Sequence, residues 1–206
     1  MGKNRQKRYR VSGLPRRKAM SAATMMAKSF EKDPYFSEVA KNKAELAAIM
    51  RSDISECLKN GDAIAAISKG GRTDGIALGF KWSEMKTKHP DAFAGIFDGA
   101  SAKDVRKIEN VIAMAPKKHR NRFVYIPDMA VRKGKQGRGI CTALVKELER
   151  KHRGRPFIAD CSNPISCRIF EKEGWVKVCR RNGLIFMVRL PGNSRMRKHH
   201  GKRKGV

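Results

Sequence analysis

A basic loop with two glycines, placed directly before a helical pattern, is the clearest candidate binding site in this sequence. Residues 136–142 run Gln-Gly-Arg-Gly-Ile-Cys-Thr. They follow an apolar segment at 122–131 and lead into apolar residues spaced four positions apart, so the loop connects a strand to a helix. The unpaired N–H groups at the start of a helix bind anions, and small residues let the backbone come close to a phosphate. Gly137 and Gly139 therefore predict a phosphate site.

Two common phosphate-binding loops do not fit these residues. The motif G-x-x-x-x-G-K-[ST] requires a lysine and a hydroxyl directly after its last glycine, whereas Gly139 is followed by Ile140 and Cys141. The dinucleotide motif G-x-G-x-x-G lacks its third glycine here. A glycine loop before a helix also occurs as a plain connection. The loop alone leaves a phosphate site and a structural turn as alternatives.

A longer stretch resembles the cofactor signature of the GNAT acetyltransferases. In that family a strand ending in valine runs into a loop of Arg or Gln, two residues, Gly, one residue, and Gly or Ala, which binds the diphosphate of coenzyme A. Here Val131 ends the strand, Gln136 and Gly139 occupy the first two fixed positions, and Cys141 takes the last one. The segment NPISCRIFEKEGWVKV, which starts at Asn163, resembles the family's downstream block. The order and spacing of these two motifs identify the chain as a member of this family.

The resemblance implies that acetyl-CoA is the co-substrate, and we expect no metal. It places main-chain N–H donors for the thioester carbonyl at the end of the strand, where two strands splay apart, and phosphate donors in the loop. Asn163 takes the position that contacts the pantetheine arm. The implied cofactor residues are Met129, Ala130, Val131, Gln136, Gly137, Arg138, Gly139, Ile140, Cys141, Thr142, Asn163 and Phe170.

Acetyl transfer also requires a base for the attacking ammonium and an acid for the departing thiolate. Many family members place a tyrosine where this chain has Phe170, and a phenyl ring cannot donate a proton. The alternatives for the acid are water, Ser166 and a neighbouring thiol. For the base, acidic and phenolic residues on two strands compete with a chain of water molecules. The catalytic candidates are Asp128, Tyr125, Asp160 and Cys167.

The fold class implied is α/β of the α+β type, with a mixed, mostly antiparallel central sheet and helices on both faces, preceded by an extra helical N-terminal segment. We expect one domain at 19–190, composed of a helical part at 19–60, an insertion near 83–121 and a cofactor-binding part at 122–190. Hydrophobic periodicity predicts helices at 20–31, 38–59, 101–115, 140–152 and 164–173, and strands at 63–68, 75–82, 122–131, 155–161, 175–179 and 184–190. Pro127 predicts an edge, a bulge or a splayed pair within its strand.

The charge of the chain predicts an anionic partner. It has 47 Lys and Arg against 19 Asp and Glu, a formal charge of +28. Half of that excess lies at the two ends, so we expect basic disordered arms at 1–18 and 191–206 that contact phosphates. The acceptor amine is then predicted on or near nucleic acid, as on aminoacyl-tRNA, a ribosomal protein or a nucleic-acid-associated protein. The alternative is a catalytically weak GNAT-fold protein that binds RNA or DNA with its arms.

Five scattered cysteines without a C-x-x-C pair argue against a disulfide framework and a zinc site. No apolar run reaches the length of a membrane span, and the first residues lack a secretion signal. We therefore expect a cytoplasmic protein without a membrane partner. Its oligomeric state is open, with a homodimer as one possibility.

Overall fold

One eight-stranded sheet organises the residues that the computed structural model describes, which are 9–84, 101–115, 117, 122–181 and 183–191. The strands are β1 (Tyr9–Gly13), β2 (Gly61–Ser68), β3 (Thr73–Lys81), β4 (Val124–Ile126), β5 (Met129–Val131), β6 (Phe157–Cys161), β7 (Val176–Arg181) and β8 (Leu184–Arg189). The α-helices are α1 (Ala19–Phe30), α2 (Pro34–Val39), α3 (Lys43–Asn60), α4 (Ala102–Met114), α5 (Ile140–Lys151) and α6 (Pro164–Lys172).

The strands follow the order β1-β2-β3-β4-β6-β8-β7, and β5 pairs with β3 beyond the end of β4. β4 and β6 are parallel, and the other neighbouring strands are antiparallel. This sheet confirms the expected mixed, mostly antiparallel architecture. Among the described strands this parallel pair ends at Ile126, directly before Pro127.

Helices cover both faces of the sheet. Along β2, Ala63, Ala65 and Ile67 pack in the cluster formed with α1, α3 and α4, whereas Ile64 and Ala66 pack in the cluster formed with α5 and α6. Because alternate side chains of a strand point to opposite faces, burial on both sides explains why β2 is a continuous apolar run.

The helix that follows the glycine loop packs directly on β3. A Cβ built on Gly75 would lie 2.6 Å from Cγ2 of Ile140 and 3.4 Å from the carbonyl oxygen of Ala130. Gly75 therefore allows the first turn of α5 to approach β3, which places the glycine loop beside β5.

Most predicted elements are present, with small shifts at their ends. Ser101 is the N-cap of α4, as expected, and its hydroxyl accepts from the N–H of Asp104 at 3.2 Å. The short helix α2 was not predicted, although Asp33 caps it by accepting from the N–H of Tyr35 at 3.1 Å. The strand expected at 122–131 is divided at Pro127 into β4 and β5.

The N-terminal boundary is corrected. Residues 9–18 were expected to belong to a disordered arm, but Tyr9–Gly13 pairs with β2 as the sheet's edge strand. Tyr9 and Val11 also pack against the apolar cluster on the α5 face. Hydrogen bonds from a distant strand thus order a segment whose own composition predicts disorder. Residues 1–8 and 192–206, which hold the rest of the predicted arms, lie outside the described residues.

The helical N-terminal part does not precede the sheet as an extra segment. It follows β1, and buried side chains of α1 and α3, among them Met26, Met50 and Ile54, pack against the sheet in one hydrophobic cluster. Much of the predicted insertion at 83–121 lies outside the described residues.

Candidate active site

The candidate site lies where two neighbouring strands diverge. β4 and β6 pair as far as Ile126 opposite Ala159, after which β5 continues beside β3 alone. Pro127 and Asp128 form the interruption, which is the splayed arrangement that the proline predicted. A cavity of about 1040 Å³ opens at this gap and is lined from both sides of the split.

Strand β5 directs main-chain N–H groups into the gap. The N–H of Arg132 donates to a carbonyl on β3, and the carbonyl of Asp128 accepts from an N–H on β3, both at 2.9 Å. Alternate residues of an antiparallel strand bond to the partner, so Ala130 also bonds toward β3. The N–H groups of Met129 and Val131 therefore point away from β3. The resemblance implied exposed N–H groups at Met129, Ala130 and Val131. The strand pairing instead uses the N–H of Ala130 for a hydrogen bond to β3.

The glycine loop forms the second wall of the cavity. Gly137 and Gly139 have φ values of 71° and 74°, a region that other residues rarely adopt. A Cβ on either glycine would meet no atom within 4 Å, so the backbone conformation, and not a lack of space, favours glycine here. Gly139 is the N-cap of α5 and has no side chain to bond the first N–H groups of that helix. These groups are suited to a phosphate oxygen.

Arg132 anchors the start of this loop to β3. Its Nη2 donates to the carbonyl of Thr73 at 2.6 Å, and its Nε lies 3.3 Å from Oδ1 of Asp74. The carboxylate of Asp74 is buried. An ion pair to a buried carboxylate, with added hydrogen bonds, fixes the geometry at the start of the loop, which the glycines by themselves cannot do.

Two downstream residues of the second motif complete the cofactor side. Asn163 caps α6, because its Oδ1 accepts from the N–H of Ser166 at 2.9 Å. Its amide NH₂ is chemically available as a donor. Phe170 is buried, and its ring lies 4.6 Å from that of Trp175, centroid to centroid. Unpaired N–H groups and a cavity of this size fit coenzyme A as a ligand.

Four aspartates line the same cavity beyond the glycine loop. Asp128 and Asp160 come from the two strand ends, Asp33 precedes α2, and Asp53 lies on α3. Burial raises the pKa of Asp128 well above its usual range, and Asp53, Asp160 and Asp33 raise it further. Burial likewise raises the pKa of Asp53 to about 6. Carboxyl groups with raised pKa values are suited to accept a proton from an ammonium.

Tyr125 and Asp160 form a hydrogen-bonded pair at the gap. The Tyr125 hydroxyl donates to Oδ2 of Asp160 at 2.6 Å. Burial, followed by the charge of Asp160, raises the pKa of Tyr125 well above its usual value. A phenol with a raised pKa stays protonated at neutral pH, so the geometry argues against Tyr125 as the base and makes it a donor.

All but two of the expected site residues line the cavity. Arg138 is exposed in the loop and does not line it. Cys167 is only 1% exposed and packs in the apolar cluster between the sheet and α6, so we remove it from the candidates for the acid. Cys141 lines the cavity, but burial raises its pKa to about 12, which disfavours a nucleophilic thiolate.

The N-terminal helices contribute cavity residues that the sequence interpretation missed. Asp33, Tyr35 and Asp53 line the cavity, although no motif marks them. One signal was present in the sequence, because Asp53 follows Ile49 and precedes Cys57 at four-residue spacing and therefore shares a face of α3 with apolar residues.

Within the described ranges, no group of three or more His, Cys, Asp and Glu side chains could hold a metal ion. Among the same residues, no helix combines the length and apolar character needed to cross a membrane.

Comparisons with known proteins bear on both the sequence and the fold. Residues 80–175 match the model of the acetyltransferase (GNAT) family. No curated protein sequence matches the chain.

Solved structures share this architecture at low sequence identity. Histone acetyltransferase HPA2 and related acetyltransferase from Corynebacterium glutamicum is 16% identical, with a TM-score of 0.64 over 89% of this chain and 96% of that one. Arylalkylamine N-acetyltransferase 2 from Aedes aegypti is 14% identical, with a TM-score of 0.62 over 88% and 98%. PaiA N-acetyltransferase from Thermoplasma acidophilum, solved with coenzyme A, is 8% identical, with a TM-score of 0.58 over 88% and 98%.

These structures share the fold over most of the chain. The shared part is long enough to include the N-terminal helices, so these helices are not an addition to the fold. The fold and the family match agree with the two motifs found in the sequence, and the expectation of a GNAT-type acetyltransferase is confirmed. Residues 80–175 are a GNAT acetyltransferase domain, within a fold that the chain shares with N-acetyltransferases of known structure.

Proposed function

We propose that the protein transfers an acetyl group from acetyl-CoA to a primary amine. One observation carries this proposal: a single cavity joins the open start of α5 to a group of carboxyl side chains at the diverging strands. A site for an anionic cofactor and a site for a cationic acceptor thus meet at the gap.

The cofactor end would be formed by the residues that line the loop. The N–H groups of residues 136–142 are suited to the diphosphate, and Lys135 adds a positive charge to the same wall. Asn163 and Phe170 line the same cavity from the start and the body of α6, where the pantetheine arm would pass. Acetyl-CoA, when bound, supplies the thioester whose acyl carbon is attacked.

At the gap, Met129 and Val131 offer N–H donors for the thioester carbonyl, where negative charge develops. We assign Asp128 as the base that takes the proton from the acceptor ammonium. The amine nitrogen then bonds to the acyl carbon while the carbon–sulfur bond breaks. The nitrogen's second proton must reach the departing thiolate; because Phe170 has no hydroxyl, it passes through water or through the hydroxyl of Ser166, which lines the cavity.

The molecule that presents the acceptor amine is proposed from the net charge of the chain. The chain's formal charge of +28 supports an amine presented on or near nucleic acid, in the cytoplasm. The carboxyl groups of the cavity support a cationic amine at the reaction centre itself. Both statements are satisfied if the cationic amine is carried by nucleic acid, or by a protein bound to it, and enters the gap.

The test is release of the coenzyme A thiol during incubation with acetyl-CoA and a panel of primary amines, with mass spectrometry of the product. Labelled acetyl-CoA and cell extract, with and without nuclease, extend the panel to acceptors on RNA and protein. Acetylated amine supports the proposal. Absence of any acetylated product, together with no thermal shift by acetyl-CoA, would favour the alternative of a weakly catalytic nucleic-acid-binding protein. A ligand at a hundredfold excess over its Kd stabilises a protein by about 2.7 kcal/mol, so the shift is measurable.

A further inference from the structure

The cavity has the opposite charge balance to the chain that forms it. Six of its described lining residues carry a carboxyl group and two are lysines, whereas the whole chain has 47 Lys and Arg against 19 Asp and Glu. The two lysines, Lys135 and Lys172, lie in the glycine loop and on α6. The part of the cavity formed by α1 to α3 and the strand ends is therefore acidic.

Two of these carboxyl groups have no polar partner among the residues that the structure describes. Asp160 accepts from the Tyr125 hydroxyl at 2.6 Å, and Asp33 accepts from the Ser162 hydroxyl at 2.6 Å. By contrast, no hydrogen bond or ion pair reaches the side chains of Asp53 or Asp128 from the described residues. Asp128 is only 8% exposed and lines the cavity. A buried carboxylate without a partner is costly, which points to a cationic ligand that completes it.

A single ammonium group would not satisfy this arrangement throughout the reaction. The reacting nitrogen must lose its proton before it attacks, so its positive charge disappears when Asp128 accepts that proton. Asp53 and Asp128 line the same cavity, and among the neighbouring carboxylates Asp53 raises the pKa of Asp128 most, ahead of Asp160 and Asp33. A second cation that keeps its charge would continue to offset Asp53 after proton transfer.

We propose that the acceptor is an aliphatic amine with a second positive charge: its reacting ammonium is deprotonated at Asp128, and its second ammonium or guanidinium group binds Asp53 on α3. This inference rests on the proposed acetyl transfer and names the substrate class for the same site. Asp53 acts as a specificity-determining residue. Phe36 on α2 and Ile49, which precedes Asp53 on α3, also line the cavity and provide an apolar surface for the methylene groups between the two charges.

Matched amines test this directly. The rates of acetylation of 1-aminobutane and of diamines with three to six carbons are compared in the wild type, in Asp53→Asn and in Glu109→Gln. Glu109 is an exposed acid on α4, so Glu109→Gln removes the same charge outside the cavity. Two equivalent amino groups alone give a diamine a twofold advantage. For the wild type and Glu109→Gln we expect kcat/KM for the best diamine to exceed that for 1-aminobutane about tenfold or more. In Asp53→Asn the ratio should fall to about the statistical factor of two.

Several outcomes would overturn the inference. A wild-type enzyme that acetylates the monoamine as well as every diamine contradicts it, and so does Asp53→Asn with an unchanged ratio. Acetyl-CoA binding with no acetylation of any diamine also contradicts it, while label transfer to an acceptor in cell extract would leave the proposed acetyl transfer intact. Failure to bind acetyl-CoA would instead reject the proposed function. Circular dichroism and the melting temperature of Asp53→Asn establish that a change in ratio does not come from unfolding.

Discussion

The hydroxyl of Tyr125 on β4 donates a 2.6 Å hydrogen bond to Oδ2 of Asp160 on β6, beside the point where these parallel strands separate. The main-chain pairing of the two strands ends at Ile126 and Ala159, so this side-chain bond ties the walls of the gap together at the end of that ladder. It fixes the Asp160 carboxylate in the cavity and leaves Asp128 as the buried carboxyl group without a hydrogen bond from the described residues.

Loss of this bond should weaken both the fold and the reaction. Tyr125→Phe removes a hydrogen bond to a charged group, which is worth about 1.5–3 kcal/mol. We expect a lower free energy of unfolding, measured by urea denaturation, and a kcat reduced about tenfold, with KM for acetyl-CoA little changed. Because the two residues act as a pair, Tyr125→Phe combined with Asp160→Asn should cost less than the sum of the single changes. Additive effects would show that the bond has no role in the gap.

Asp128→Asn tests the assigned base. General base catalysis contributes about 10²–10⁴-fold, so kcat should fall by at least about 100-fold while acetyl-CoA still binds. The acidic limb of the pH–rate profile should also disappear, because an amide does not titrate. A variant that keeps the wild-type profile would assign the proton transfer to water or to another carboxyl group.

Asp53 makes acceptor binding and stability depend on pH in opposite directions. Its pKa is raised to about 6 by burial, so the carboxylate is lost as pH falls through about 6, and KM for a cationic acceptor should rise there. The free energy of unfolding instead rises as pH falls, because a raised pKa means that the folded state binds the proton more tightly than the unfolded state does. The penalty for the charged form is fully present above pH 6 and is removed as pH falls to about 4.

Asp53→Asn should therefore stabilise the protein by about 1–2 kcal/mol near pH 7.5, since the side chain is half-buried and solvent screens part of the effect. Urea denaturation across this pH range measures it, and the gain should shrink between pH 6 and 4. Equal stability of variant and wild type at all pH values would show that Asp53 is not strained by its surroundings.

Two glycines at the ends of α5 provide a matched test of the loop. Gly139 and Gly154 have φ values of 74° and 77°, and a Cβ on either would meet no atom within 4 Å. Alanine at either position should cost about 1–2 kcal/mol of stability, because the left-handed conformation is strained for other residues. Only Gly139→Ala should also raise KM for acetyl-CoA, because it displaces the N–H groups of the loop. The increase should be about tenfold if phosphate binding loses a free energy similar to the loss of stability. Equal effects of Gly154→Ala on KM would contradict a phosphate site in the loop.

The glycine loop and the elements beside it could be predicted from the sequence because the information for them is local. The strand, the glycines with positive φ and the helix that follows are consecutive, and Asn163 with Pro164 marks the start of the next helix by its own chemistry. Two such motifs in order were sufficient to predict the family and the core of the sheet.

The acceptor side depended on contacts between distant parts of the chain. Asp33 and Asp53 line the same cavity as Asp128 only because α1 to α3 pack across the sheet, and spacing along the sequence does not encode that packing. Edge strand β1 was missed for a similar reason, since β2 supplies its hydrogen bonds.

The sequence by itself determined the two GNAT motifs, the glycine loop and the net charge, each of which is a property of neighbouring residues or of a sum. Only the tertiary structure decided where the charge changes sign. A total of +28 contains no information on position, and the acidic cavity exists because folding brings a few carboxyl groups together while most basic side chains stay outside it.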